Sequence, residues 1–321
     1  MISTVYTMEL LQDATRSIAD LDFMILSSGS DSRAYQVLSS ANLTRRNSPK
    51  VLMLHFTERL AGRKRSDFLF RYATLRIKHL QEINCAIKDP SSSLKELENN
   101  DFGPTKKIGI DISCLTKPYF YFLIKLFKER FGLLRLSVYY TEPKSYLFPK
   151  GSFDTFHTSS GPLSITEIPG YSGVELRGAK RKLIILLGFD GDLSKEINED
   201  VAPNETLVVN GFPAYAPKFK DISLIANAKL VRDEKNITVK YARANNPFEV
   251  YNLLETIKDK SERNTFINVA PLGTKPMALG ACLFALHNAD VRVIYPLPDK
   301  YEDKYSNSFW NSWVYDLPLE L

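Results

Sequence analysis

Lys275 is the residue best placed for chemistry in this 321-residue sequence, because of what surrounds it. An apolar, β-branched run, Thr265 to Ala270, breaks at Pro271 and Gly273, and a second apolar stretch runs from Met277 to Leu286. Thr274 has the residue type of a helix N-cap, and Pro276 suits a first helical turn, where a missing N–H costs nothing. A strand, a glycine turn and a helix N-terminus bring backbone N–H groups and the positive end of the helix dipole to one point. A lysine there adds a mobile charge. Such a site binds anions, phosphate above all, and Gly273, Thr274 and Lys275 are its candidate contacts. The same residues would also make an ordinary strand-to-helix connection with the lysine in solvent.

Three further turns have comparable character. Ser27-Ser28-Gly29-Ser30-Asp31 follows the apolar run Phe23 to Leu26, with Arg33 just beyond. Small polar residues at the carboxyl end of a parallel strand lie where doubly wound sheets hold ligands, which makes Ser28, Gly29 and Arg33 candidate contacts. Gly188-Phe189-Asp190-Gly191-Asp192 follows Leu183 to Leu187 in the same way, adding Gly188 and Asp190. Asp190 and Asp192 are also the candidates for catalytic carboxylates, although Asp190 serves equally as the N-cap of a helix over Ser194–Glu199. Thr116-Lys117-Pro118 ends the stretch that begins at Lys107 and repeats the Thr-Lys-Pro of residues 274–276, adding Thr116 and Lys117.

That repetition extends along the chain. Thr116 and Thr274 are 158 residues apart, Asp31 and Asp190 are 159 apart, and Tyr140, Pro143 and Tyr146 match Tyr295, Pro298 and Tyr301 at 155. Val51-Leu52-Met53-Leu54 falls over Val208-Val209 at about the same shift. Four matches in one order, at nearly one offset, indicate an internal duplication.

The elements that would position these turns alternate in period. Strands are expected at residues 23–26, 51–56, 107–113, 133–140, 182–187, 206–209, 236–241 and 265–270. Helices are expected at 33–39, 94–98, 118–131, 194–199, 248–257 and from 277 onward. An amphipathic helix is expected over 7–19, with Leu10, Leu11, Ala14 and Ile18 on one face. A second long helical region is expected up to Ile87. Between Phe56 and that region lies a basic stretch (Arg59, Arg63, Lys64, Arg65) interleaved with Phe68, Phe70 and Tyr72, which reads as phosphate-facing or as a solvated helix face. The fold class expected is α/β: two tandem Rossmann-like lobes with mainly parallel sheets, packed together. Lobe 1 is assigned to 1–146, a Gly/Pro/Ser/Thr-rich connector to 147–180, and lobe 2 to 181–321. The aromatic end with Trp310 and Trp313 is expected to dock on its own domain. Asn210 to Pro217 is expected to form a stiff aromatic loop lining a pocket.

Composition removes several function classes. No apolar run approaches the roughly 18–20 residues of a membrane helix, and the N-terminus has no basic region followed by an apolar core. Three scattered cysteines (Cys85, Cys114, Cys282) point to reduced thiols and a cytoplasmic location. The net charge of +5 permits a phosphate ligand without indicating direct nucleic-acid binding. The four histidines (His55, His79, His157, His287) are isolated in sequence and form no metal-ligand spacing. No cofactor or metal is called for. The signatures of Walker lysine loops, nucleophile elbows and dinucleotide-binding glycines are missing.

The run Leu272-Gly273-Thr274-Lys275-Pro276-Met277 resembles the Gly-Thr-Lys-x-Met signature of CRISPR-associated Rossmann-fold sensor domains. In that family the motif lies at the carboxyl edge of the sheet and holds a cyclic oligoadenylate, and the turn after the first strand supplies the other half of the grip. Members usually pair two such domains about a pseudo-two-fold axis, which a duplicated chain would build internally. Leu272 stands where Gly is more usual, and in the first half Leu115 stands where a Gly should precede Thr116. The resemblance implies a module that senses a nucleotide or cyclic oligonucleotide and acts on a partner effector protein in prokaryotic antiviral defence. Two other readings stay open: a hydrolase or nucleosidase using Asp31, Asp190 or Asp192, and a non-catalytic scaffold subunit.

Overall fold

Runs of Val, Ile and Leu without polar alternation can be buried only where helices cover both faces of a sheet, and each half of the chain carries such a set. The computed structural model describes residues 7–13, 18–29, 31–41, 43–44, 46–56, 77–87, 90–102, 107–130, 135–146, 159–160, 164–233, 236–297, 300–301 and 306–319. The protein is α/β, with two mainly parallel sheets in two units. One unit is Met1–Leu147 with Asp303–Leu321, and the other is Phe148–Glu302. Among the described residues, no helix is long and apolar enough to cross a membrane.

The first unit runs β1 (Thr7–Leu10), β2 (Phe23–Ser27), α1 (Arg33–Ser40), β3 (Lys50–Phe56), β4 (His79–Cys85), α2 (Pro90–Asn99), β5 (Ile108–Asp111), α3 (Lys117–Glu129) and β6 (Arg135–Tyr146). The second runs β7 (Ser159–Ser160), β8 (Ser164–Glu167), β9 (Lys180–Leu186), α4 (Gly191–Val201), β10 (Glu205–Gly211), α5 (Pro217–Ala226), α6 (Ala228–Asp233), β11 (Ile237–Ala242), α7 (Pro247–Asp259), β12 (Thr265–Pro271), α8 (Lys275–His287), β13 (Arg292–Leu297) and β14 (Lys300–Tyr301). The last strand, β15 (Ser306–Pro318), belongs to the first unit.

The first sheet has the order β1-β15-β6-β5-β2-β3-β4, and the second, read from its far edge, β8-β13-β12-β9-β10-β11. From the antiparallel strand onward the two orders coincide, β15 corresponding to β8 and β6 to β13. The four sequence matches fall on the corresponding pairs β2/β9, β3/β10, β5/β12 and β6/β13 and the turns that follow them, so the duplication is structural. β8 follows β6 in the chain and joins the second sheet, whereas β15 follows β13 and joins the first. Each sheet therefore takes its antiparallel strand from the chain beyond the other sheet's last parallel strand.

Four expectations need correction. Residues 7–19 do not form one helix: Thr7–Leu10 pairs antiparallel with β15, and one-turn 3-10 helices follow at Leu11–Asp13 and Ile18–Asp20. The stretch before Ile87 is a strand, because His79–Cys85 pairs in parallel register with β3. Its exposed polar residues hide the period, since only Ile83 and Cys85 are buried. The aromatic end does not close lobe 2: β15 pairs with β6, burying Val314, Tyr315 and Leu317 in the first unit. The stretch assigned to a connector includes β8 and the buried Ile168 and Tyr171, so from Ser164 onward it is part of the second unit. The basic stretch Arg59–Arg65 lies outside the described residues.

Helix α8 is apolar on every side and buried from Pro276 to Ala285, which its small residues allow. A Cβ at Gly280 would stand 2.2 Å from the Pro247 carbonyl oxygen and 2.8 Å from Val250 Cβ, so α7 and α8 touch backbone to backbone there. Gly280→Ala is expected to cost about 1–3 kcal/mol through overpacking. The check is the urea midpoint of the second unit's transition; an unmoved midpoint would mean that the helices can part at no cost.

Candidate functional site

Within the second unit, β9, β10 and β11 succeed one another in one direction across the sheet, while β12 and β13 lie on the other side of β9. The order reverses between β9 and β12. A crevice outside the carboxyl ends of strands at such a reversal is where open α/β sheets hold ligands. The two turns that border it are Gly188–Asp190 and Leu272–Thr274.

These turns meet at their backbones. A Cβ at Gly188 would stand 2.6 Å from Leu272 O, and one at Gly273 3.1 Å from Leu187 O. The Gly188 carbonyl is anchored on its far side, accepting from Ser223 Oγ at 2.9 Å and from the fully buried Asn227 Nδ2 at 3.0 Å. Thr274 caps α8 as its residue type predicts: its hydroxyl accepts from Met277 N at 3.3 Å and donates to Ala244 O. Tyr215 OH donates to the same carbonyl at 3.1 Å. One backbone oxygen therefore ties the loops after β10, β11 and β12 together. Lys275 is half-buried at the first position of the thirteen-residue α8.

An aromatic and basic edge continues from this knot. Phe212 and Tyr241, at the ends of β10 and β11, are about half exposed and meet edge to face at 6.2 Å between ring centres. The Lys220 ammonium lies 5.4 Å from the Phe212 ring centre. Across α4 the character is acidic. Desolvation and then Asp192, Asp190 and Glu199 hold the Glu196 carboxyl above the usual carboxylate range. An anion is therefore favoured on the β12 side of the crevice.

Asp190 and Asp31, two of the three proposed catalytic carboxylates, have structural partners. Asp190 is buried and caps α4, accepting from Leu193 N at 3.4 Å. Asp192 is exposed beside Lys229. In the first unit Asp31 forms a two-pronged ion pair with the buried Arg33, with Nε at 3.1 Å and Nη2 at 2.7 Å. This pair holds the Arg33 side chain against its own turn. Gly29 offers its carbonyl to Tyr35 OH at 2.6 Å.

The first unit's Thr-Lys-Pro turn differs from its counterpart in two ways. Thr116 makes no capping bond to α3, whereas Thr274 caps α8. Lys117 is buried, and desolvation lowers its pKa from the ordinary 10.5 to about 7. An amine buried in this way is not the mobile cation that an anion grip needs.

Ser28 has partners that the sequence did not reveal. Its Oγ lies 2.9 Å from His55 Nδ1, and His55 Nε2 lies 2.7 Å from Glu82 Oε1. His55 is isolated in sequence but not in space. Glu82 falls beside His55 only because residues 79–85 form a strand in parallel register with β3, which their sequence does not show. Among the described residues, no three His, Cys, Asp or Glu side chains converge as metal ligands.

No family model matches this sequence, and no curated protein matches it. Among solved structures, the chain is similar to a functionally unknown protein from Pseudomonas aeruginosa at 8% identity, covering 88% of this chain and 94% of that one with a TM-score of 0.26. It is similar to the cytoplasmic domain of a prokaryotic cation chloride cotransporter at 9% identity, covering 88% and 97% with a TM-score of 0.24. A third likeness is to a protein described as a universal stress protein from Pseudomonas aeruginosa, at 8% identity, covering 87% and 94% with a TM-score of 0.24. Likeness at this level carries no functional assignment.

Proposed function

We propose that the second unit is a ligand-sensing module that takes the phosphate of a nucleotide or cyclic oligonucleotide in the crevice between β9 and β12. The observation that carries this reading is the start of α8: a capped N-terminus with Lys275 at its first position, at the reversal of strand order. The helix dipole and a lysine act together there on an anion. Phe212 and Tyr241, joined to the same knot of loops, give a base something to stack on. The resemblance of Leu272–Met277 to the sensor signature supports a cyclic oligoadenylate as the ligand and an effector protein in antiviral defence as the partner. In this reading the first unit's turn, with its buried Lys117, has a structural role.

Native mass spectrometry of the gently purified protein, followed by calorimetric titration with cyclic oligoadenylates and ATP, tests the proposal. Lys275→Ala is expected to weaken binding by about 1.5–3 kcal/mol, roughly 10- to 150-fold, as for a lost charge-assisted contact. Protein that carries no phosphate compound and gives no heat with either ligand class would remove this reading in favour of a scaffold.

A further inference from the structure

The chain Ser28–His55–Glu82 runs from the turn after β2, past the carboxyl end of β3, to the middle of β4, and lies outside the crevice of the second unit. Parallel register creates it. Met53 stands opposite Glu82 and His55 opposite Asn84, so His55 and Glu82 are diagonal neighbours on one face of the sheet. Ser28 directly follows β2, and its backbone N–H donates to Leu54 O at 2.9 Å, which holds it beside His55. Ser28 and His55 are almost fully buried, and the Glu82 side chain is 29% exposed.

The order of the three groups fixes the protons. A carboxylate only accepts, so the imidazole proton sits on Nε2 toward Glu82, and Nδ1 is left with a lone pair. Ser28 then donates its hydroxyl proton to Nδ1. The other acceptor within reach, Leu54 O, is 3.5 Å from Oγ and too distant to compete. A serine polarised by a histidine that is itself oriented by a carboxylate is the arrangement that makes an alcohol nucleophilic. It stands here at a strand-to-helix turn, on the sheet edge where doubly wound folds meet their ligands.

We infer that Ser28 is an acyl-accepting nucleophile, with His55 as its general base and Glu82 as the residue that positions the imidazole. The substrate class is a carboxylic ester. Ser28 Oγ bonds to the carbonyl carbon as its proton passes to Nδ1. The bond to the leaving alkoxide then breaks, and the alkoxide takes that proton and departs as the alcohol. Water attacks the acyl-serine, giving a proton to Nδ1, and the proton returns to Oγ as the acid is released. The inference concerns the first unit alone and does not depend on the ligand proposed for the second.

A fluorophosphonate probe tests it, because phosphonylation forms an Oγ–P bond, expels fluoride and needs the same proton transfer. Incubation of the full chain followed by peptide mass mapping is expected to place the adduct on Ser28. The adduct is expected to be absent in Ser28→Ala and unchanged in Ser27→Ala. Glu82→Gln is expected to slow labelling by at least about 10-fold, and Glu82→Asp to recover part of the rate, with both variants melting near the wild type. A folded wild type that takes no label at Ser28 overturns the inference. So does a rate that Glu82→Gln leaves unchanged. The wild-type peptide map decides the matter even if Ser28→Ala fails to fold.

Discussion

Ending the chain after Glu302 is expected to unfold the first unit while the second still melts as a cooperative body. β15 is an interior strand of the first sheet, lying between β1 and β6. It buries Val314, Tyr315, Leu317 and the following Leu319, each contributing about 1.5–3 kcal/mol by burial. Their combined loss, roughly 6–12 kcal/mol, matches the whole stability of an ordinary domain, about 5–15 kcal/mol. Polar ties go with them: Trp313 Nε1 donates to Glu142 Oε1 at 2.7 Å, and Ser137 Oγ to Asp316 Oδ1 at 2.7 Å. The buried Glu142 would lose the Trp313 donor, and β1 its pairing with β15. Calorimetry and limited proteolysis check this. The truncated chain should lose one of two transitions and yield a resistant fragment near 164–297. Retention of both transitions would show that the sheet closes without its last strand.

Lys117→Met is expected to stabilise the first unit at neutral pH. In the unfolded chain the amine keeps its proton up to about pH 10.5, but in the folded unit only up to about 7. Between those values the unfolded state binds the extra proton, so stability rises with pH from about 7 to 10.5 and is flat with respect to this group below 7. At 1.36 kcal/mol per pH unit the full span corresponds to roughly 4–5 kcal/mol. Methionine keeps the unbranched stem and removes the charge, so a gain of about 2–4 kcal/mol at pH 7 is expected, fading toward pH 10. Urea unfolding of both proteins from pH 6 to 10 measures it, and parallel curves would rule out a protonation penalty at Lys117.

Parallel strands such as β2 and β9 were legible because each carries a continuous apolar run closed by Ser or Gly, and Thr274 and Asp190 announced the helices they cap. β4 was not legible, since its exposed Gln81, Glu82 and Asn84 show neither alternation nor an apolar run. β1 was read at the helical period because four half-buried residues are too few to set a period of two. The destination of β15 depends on pairing with a strand far back in the chain, which local pattern cannot encode. The knot at Ala244 O was equally hidden, being a backbone acceptor shared by Tyr215 and Thr274. The fate of Lys117 shows a further limit: matching Thr-Lys-Pro triplets identify corresponding positions, while burial decides which lysine meets solvent.

The crossed contribution of β8 and β15 orders events on the ribosome. β15 begins at residue 306, 160 positions after β6 ends at 146. At about 5–20 residues per second, β6 waits some 8–32 s as an unpaired edge. Over that time the nascent first sheet presents open N–H and C=O groups to neighbouring chains. The second sheet, which already has β8 in hand when β13 emerges, can close first. Synthesis thus completes the later half of the duplication before the earlier one, and a ribosome stalled late in the message would release a chain with one finished sheet and one sticky edge.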